Sequence, residues 1–146
     1  RSASVRAGLA ALDAAGVDLD VVLVHDAARP LATRALFDAV VAAVRAGADA
    51  VVPGVAVTDT LKRVDGDRVV ETVDRAPLVA VQTPQGFRPS ALRAAHAAGD
   101  DATDDAALVE AVGGTVVWVL GEATNFKVTE PADLGRAAAL LAGEDD

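Results

Sequence analysis

Side chains able to do polar chemistry are sparse in this chain, and several stand at the ends of apolar runs. Val21-Val22-Leu23-Val24 leads directly into His25-Asp26, and Arg29 follows three residues after Asp26. A carboxylate at a strand end can hold a hydroxyl or a metal, and a guanidinium there can hold a phosphate. Further cations stand at Arg1, Lys62, Arg75 and Lys127, with hydroxyls at Ser4, Thr60, Thr83 and Thr103. Phosphoryl and nucleotidyl transfer use such sets. Catalysis there is mainly positioning and neutralisation of spread negative charge, usually with Mg²⁺.

Other chemistries lack their parts. Two histidines, His25 and His96, cannot make a three-histidine zinc site, and there is no cysteine. His25-Asp26 resembles a metal-dependent phosphohydrolase dyad, but the further ligands are missing. No Gly-x-Ser-x-Gly elbow, Walker loop or Gly-x-Gly-x-x-Gly occurs. A net charge of −9 argues against sequence-independent nucleic-acid binding. No apolar run approaches the roughly 20 residues of a membrane span. Absence of cysteine fits a cytoplasmic protein.

The chain has 146 residues, 52% hydrophobic and 24% charged, enough for one α/β domain over 1–146. Val5, Leu9 and Leu12 predict a first helix, capped by Ser2 or Ser4 and ended by Gly16. Residues 21–24 predict a buried strand. Thr33 is positioned to cap a second helix with Leu36, Val40 and Val44 on its buried face. Residues 50–55 predict a second strand, parallel to the first through this βαβ unit. Asp65-Gly66 between two β-prone runs predicts a half-polar hairpin within 58–75 that protrudes and needs a partner to cover it. The prolines and glycine of 83–87 predict a stiff loop rather than a strand. His96 reads as a helix-surface residue. Thr103 reads as the cap of a helix whose start Asp104 and Asp105 complement electrostatically. Residues 115–120 predict a strand, 125–128 a short extended piece, and Pro131 opens a last helix. The sum is a mostly parallel sheet with helices and one protruding β-hairpin.

Several short motifs, in order, resemble one family. They are Arg1-Ser2-Ala3-Ser4-Val5, Val22-Leu23-Val24-His25-Asp26-Ala27-Ala28-Arg29-Pro30, Thr58-Asp59-Thr60-Leu61-Lys62, Thr72-Val73-Asp74-Arg75, Gln82-Thr83-Pro84-Gln85, Thr103-Asp104-Asp105 and Asn125-Phe126-Lys127-Val128-Thr129. Together they resemble the 2-C-methyl-D-erythritol 4-phosphate cytidylyltransferases over nearly the whole chain. The resemblance implies a Rossmann-like nucleotidyltransferase fold and transfer of CMP from CTP to methylerythritol phosphate with Mg²⁺. It implies release of pyrophosphate, within non-mevalonate isoprenoid synthesis. It also implies a homodimer interlocked through the hairpin arm.

By resemblance, Arg1 and Ser4 lie near the nucleotide, and Asp26, Ala27 and Arg29 lie between nucleotide and sugar phosphate. Thr60 and Arg75 reach the sugar phosphate of the other subunit, and Thr83 and Thr103 match substrate-side hydroxyls. Lys127 stabilises charge on the α-phosphate, and Arg75 joins it as a catalytic residue. The family's glycine-rich CTP loop has no counterpart in 1–146. Residue 1 is Arg and Met is absent, so the sequence reads as part of a longer chain. A polypeptide beginning at Arg1 is expected to lack transfer activity. A ribitol 5-phosphate cytidylyltransferase and a non-catalytic α/β dimerisation module stand as alternatives.

Overall fold

Valine-rich runs form most of the strands and alanine-rich runs most of the helices. The computed structural model describes residues 2–98 and 104–143. In chain order the elements are α1 (Ser2–Ala14), β1 (Val22–Val24), α2 (Arg34–Arg45), β2 (Ala50–Ala56), β3 (Leu61–Asp65) and β4 (Arg68–Val73). Then come β5 (Val79–Val81), β6 (Gln85–Phe87), α3 (Pro89–Ala97), α4 (Asp105–Ala111), β7 (Val116–Leu120) and α5 (Pro131–Ala142). Helix α2 follows its periodicity closely. Leu36, Val40 and Val44 are buried, and the Thr33 side chain accepts the Leu36 N–H at 3.2 Å.

The central sheet is mixed, not mostly parallel. Strand β6 lies between β1 and β2 and is antiparallel to both. Strands β1 and β2 therefore share a direction without touching, and β7 pairs parallel with β2. The expected loop at 83–87 is thus a central strand from Gln85 onward, with all three of its residues buried.

The strand survives its breakers because they are absorbed beside it. Between the pairs Val51↔Gly86 and Gly54↔Val81, the two residues Val52 and Pro53 oppose four, 82–85. The surplus forms a bulge, and a bulge re-aims side chains. Pro84 sits in it, after a cis peptide bond.

Gly86 fits against α2 where no side chain does, since a Cβ there meets Val40 Cγ1 at 2.5 Å and Val44 Cγ2 at 3.0 Å. Gly86→Ala should therefore destabilise the fold by about 1–3 kcal/mol through overpacking, read as a lowered urea midpoint.

Helices pack on both faces of the sheet. Leu9 of α1, Leu92 of α3, and Leu108 and Val109 of α4 pack with Val22, Val52 and Phe87 on one face. Val40 and Val44 of α2 pack on Val51 on the other. His96 is not a surface residue. It is buried, and its Nε2 lies 2.8 Å from Asp105 Oδ1, tying α3 to α4. The cap of α4 is Asp104, which accepts the Ala107 N–H at 2.8 Å. Thr103, expected in that role, lies outside the described residues. No strand forms at 125–128.

Strands β3 and β4 form a sheet of their own, closed by a turn with Gly66 at φ +59°. Val64, Val69 and Val70 on this hairpin are 60%, 61% and 54% exposed. Among the described residues, no helix is long and apolar enough to cross a membrane.

Candidate functional site

Three connections meet at the carboxyl end of β1. The first is the turn after that strand, closed by the Arg29 N–H donating to the Asp26 carbonyl at 2.9 Å. The second is the bulge between β5 and β6. The third is the loop between β7 and α5. They surround a cavity of about 220 Å³ lined by Asp26, Arg29, Gln82, Thr83, Gln85, Asp104 and Lys127, with Val81 at its margin. Strand ends are where α/β sheets bind ligands, because side chains from neighbouring connections converge there.

The turn and the loop are joined twice. The Val128 N–H donates to the Ala28 carbonyl at 2.8 Å, and Arg29 donates from a terminal guanidinium nitrogen to the Asn125 carbonyl at 2.7 Å. Lys127 Nζ lies 3.2 Å from Asp26 Oδ2. This pair is partly exposed, so its worth lies in orientation more than in stability. Burial pulls the Arg29 pKa below its ordinary value, and the Asp26 charge works against that shift. A guanidinium keeps its proton in either case. Arg29 is therefore a partly desolvated cation, and its buried Nε has no hydrogen-bond partner among the described residues. An incoming anion would offset part of that desolvation.

Beneath these groups runs a buried amide network. The Asn125 side chain donates to the Thr83 carbonyl at 2.9 Å and to Gln82 Oε1 at 3.2 Å. Gln82 accepts the Glu122 N–H at 3.1 Å and donates to the Glu122 carbonyl at 2.8 Å. The Glu122 carboxylate accepts from the Thr33 hydroxyl and, at 3.2 Å, from the Thr33 N–H. The β7–α5 loop, and Lys127 with it, is thereby fixed to the bulge and to the start of α2. Across the cavity, Gln85 Nε2 donates to Asp104 Oδ2 at 3.0 Å. Sequence reasoning passed over Gln82, Gln85, Asn125 and Glu122 as site components. The available signal was Gln82-Thr83-Pro84-Gln85, where polar residues flank a proline between apolar strands.

The residues expected at a site divide into groups. Asp26, Arg29, Thr83 and Lys127 share the cavity, and Ala27 is exposed in the adjoining turn. Ser4 does not reach it. Ser4 lines an apolar groove of about 300 Å³ between α1 and β1, which extends as far as His25. Thr60 and Arg75 line a third cavity of about 350 Å³ at the base of the hairpin, with Thr72, Val73 and Asp74. There the Arg75 guanidinium donates to the Thr58 carbonyl. Arg1 and Thr103 lie outside the described residues.

Among the described residues no group of three or more His, Asp or Glu side chains gathers around one point. The two carboxylates lining the main cavity are engaged by Lys127 and by Gln85.

Comparison with known proteins bears on the family and the fold. The family model described as IspD, 2-C-methyl-D-erythritol 4-phosphate cytidylyltransferase, matches residues 1–143. A 2-C-methyl-D-erythritol 4-phosphate cytidylyltransferase of Frankia casuarinae is 57% identical over 141 residues, 95% of this chain and 52% of the relative. A bifunctional enzyme IspD/IspF of Clavibacter michiganensis is 56% identical over 144 residues, 97% of this chain and 34% of the relative. The crystal structure of the cytidylyltransferase from Thermus thermophilus superposes with a TM-score of 0.84 at 44% identity, covering 97% of this chain and 68% of that one. The chain thus spans between a third and about half the length of these two curated relatives. With a matching fold and a family model that matches residues 1–143, the chain belongs to the 2-C-methyl-D-erythritol 4-phosphate cytidylyltransferase family.

Proposed function

We infer that this chain forms the sugar-phosphate side of a cytidylyltransferase that moves CMP from CTP to 2-C-methyl-D-erythritol 4-phosphate. The observation that carries the reading is the convergence of Arg29 and Lys127, with Asp26 and Thr83, on one cavity at the end of β1. The reaction needs two anions brought together. A phosphate oxygen of the polyol attacks the α-phosphorus of CTP, a new P–O bond forms, and the bond to the leaving pyrophosphate breaks. No general base is required, because a phosphate monoester is largely ionised at neutral pH (second pKa about 6). Arg29 and Lys127 reduce the repulsion between nucleophile and nucleotide, and Asp26 holds the ammonium in place. Mg²⁺ enters as part of the nucleotide substrate, Mg·CTP.

The exposed valines of the β3–β4 hairpin support a second assignment, that of a homodimer arm. Thr60 and Arg75 then reach the polyol phosphate in the partner's cavity. Arg75→Ala in the full-length protein should raise KM for the polyol phosphate about 10- to 150-fold and leave KM for CTP unchanged, as loss of one charged contact of about 1.5–3 kcal/mol requires. Steady-state pyrophosphate release at varied substrate checks this. The choice of substrate is tested by a panel of methylerythritol phosphate and ribitol 5-phosphate at saturating CTP. Preference for ribitol 5-phosphate would transfer the assignment to that related activity.

A further inference from the structure

The transfer reaction leaves open the role of His25, which stands beside the cavity and is bonded through both ring nitrogens. Its Nε2 lies 3.1 Å from the Arg29 carbonyl oxygen, and its Nδ1 lies 3.0 Å from Thr83 Oγ1. Thr83 Oγ1 also accepts the Asp26 N–H at 3.0 Å. The ring packs against Phe37, centroids 5.2 Å apart.

The contact with the Arg29 carbonyl fixes one proton, and a neutral ring then sets the other. A carbonyl oxygen can only accept, so Nε2 must carry hydrogen. In a neutral imidazole, Nδ1 is then the acceptor, and the Thr83 hydroxyl must donate to it. Thr83 Oγ1 spends one lone pair on the Asp26 N–H. What remains to face a ligand is a single lone pair and no proton. Such a hydroxyl accepts from an O–H or N–H and cannot donate to a phosphate oxygen. Were Nδ1 protonated instead, Thr83 would accept from both neighbours, and its proton would turn outward.

We propose that His25 is a positioning residue that holds the Thr83 hydroxyl as a hydrogen-bond acceptor, so that this corner of the cavity reads a substrate hydroxyl rather than a phosphate. The inference rests on the polyol-phosphate reading above and adds a division of labour to it. Arg29 and Lys127 take the phosphate, and Thr83, directed by His25, selects the polyol chain by its hydroxyl.

Two measurements on the full-length protein test this. Long-range ¹H–¹⁵N correlation of the imidazoles, with the His25 signals assigned by their loss in His25→Asn, should show at neutral pH a protonated Nε2 and an unprotonated Nδ1. A protonated Nδ1 overturns the proposal, whatever the enzyme's substrate proves to be. Kinetics supplies the second arm. Asparagine can place an acceptor where Nδ1 stands, whereas glutamine reaches the Nε2 position and keeps only the bond to Arg29. His25→Gln should raise KM for methylerythritol phosphate about tenfold, the scale of one orphaned hydrogen bond, with KM for CTP unchanged. His25→Asn should recover most of that loss. Equal behaviour of the two variants overturns the proposal. Absence of transfer by the wild-type full-length protein would instead count against the cytidylyltransferase reading, and the NMR arm would still decide the His25 arrangement.

Discussion

Lys127→Ala in the full-length protein should lower turnover about 10²- to 10³-fold, the range seen when one preorganised electrostatic stabiliser is removed. The side chain is half-exposed, and its ion pair with Asp26 spans 3.2 Å. A pair of that kind contributes little to stability, roughly 0–1 kcal/mol, so the urea midpoint should barely move. Loss of activity without loss of fold is the signature of a charge placed for reaction. Pyrophosphate release with CTP and methylerythritol phosphate, paired with a denaturation curve, checks both halves. A variant retaining most of its turnover would remove Lys127 from the reaction.

Asn125→Leu should act on both quantities. Asn125 is fully buried, and its amide donates to the Thr83 carbonyl and to Gln82 Oε1. Leucine has similar bulk and no donor. The Thr83 carbonyl would be left in a dry interior, at a cost of about 1–3 kcal/mol. Gln82 Oε1 keeps its bond from the Glu122 N–H, so the larger loss falls at Thr83. The loop that carries Lys127 would lose its fastening to the bulge. Misplacing a reacting group by about 1 Å costs on the order of 10²-fold in rate, so turnover should fall with stability. A lowered midpoint with unchanged turnover would show that this network supports the fold alone.

Local signals were legible wherever the physics is local. Thr33 caps α2 because a threonine before an apolar-periodic run is set to accept the Leu36 N–H. Asp65-Gly66 turns the hairpin because glycine takes positive φ cheaply. The motifs around Asp26, Arg29, Thr83 and Lys127 identified four side chains that do meet in one cavity. Long-range pairing was not legible. Strand β6 is short and carries glycine directly after Pro84 and Gln85, and only its neighbours β1 and β2 make it a strand. Its insertion also explains why the sheet is mixed although β1 and β2 run the same way. The burial of His96 depends on Asp105 across the α3–α4 connection, and that of Asn125 on Gln82 and Thr83 more than forty residues earlier in the chain. No periodicity marks such partners. Thr60 and Arg75, assigned by resemblance to the sugar phosphate of the other subunit, line a separate cavity at the hairpin base of this chain.

The central claim is that the cavity at the end of β1 brings a polyol phosphate against CTP for cytidylyl transfer. The most direct measurement is ³¹P NMR of the full-length protein with Mg·CTP and 2-C-methyl-D-erythritol 4-phosphate. The account predicts equal growth of pyrophosphate and of a new diphosphate diester, with both signals suppressed in Lys127→Ala. Pyrophosphate without the diester, or no change in the wild-type sample, would contradict it.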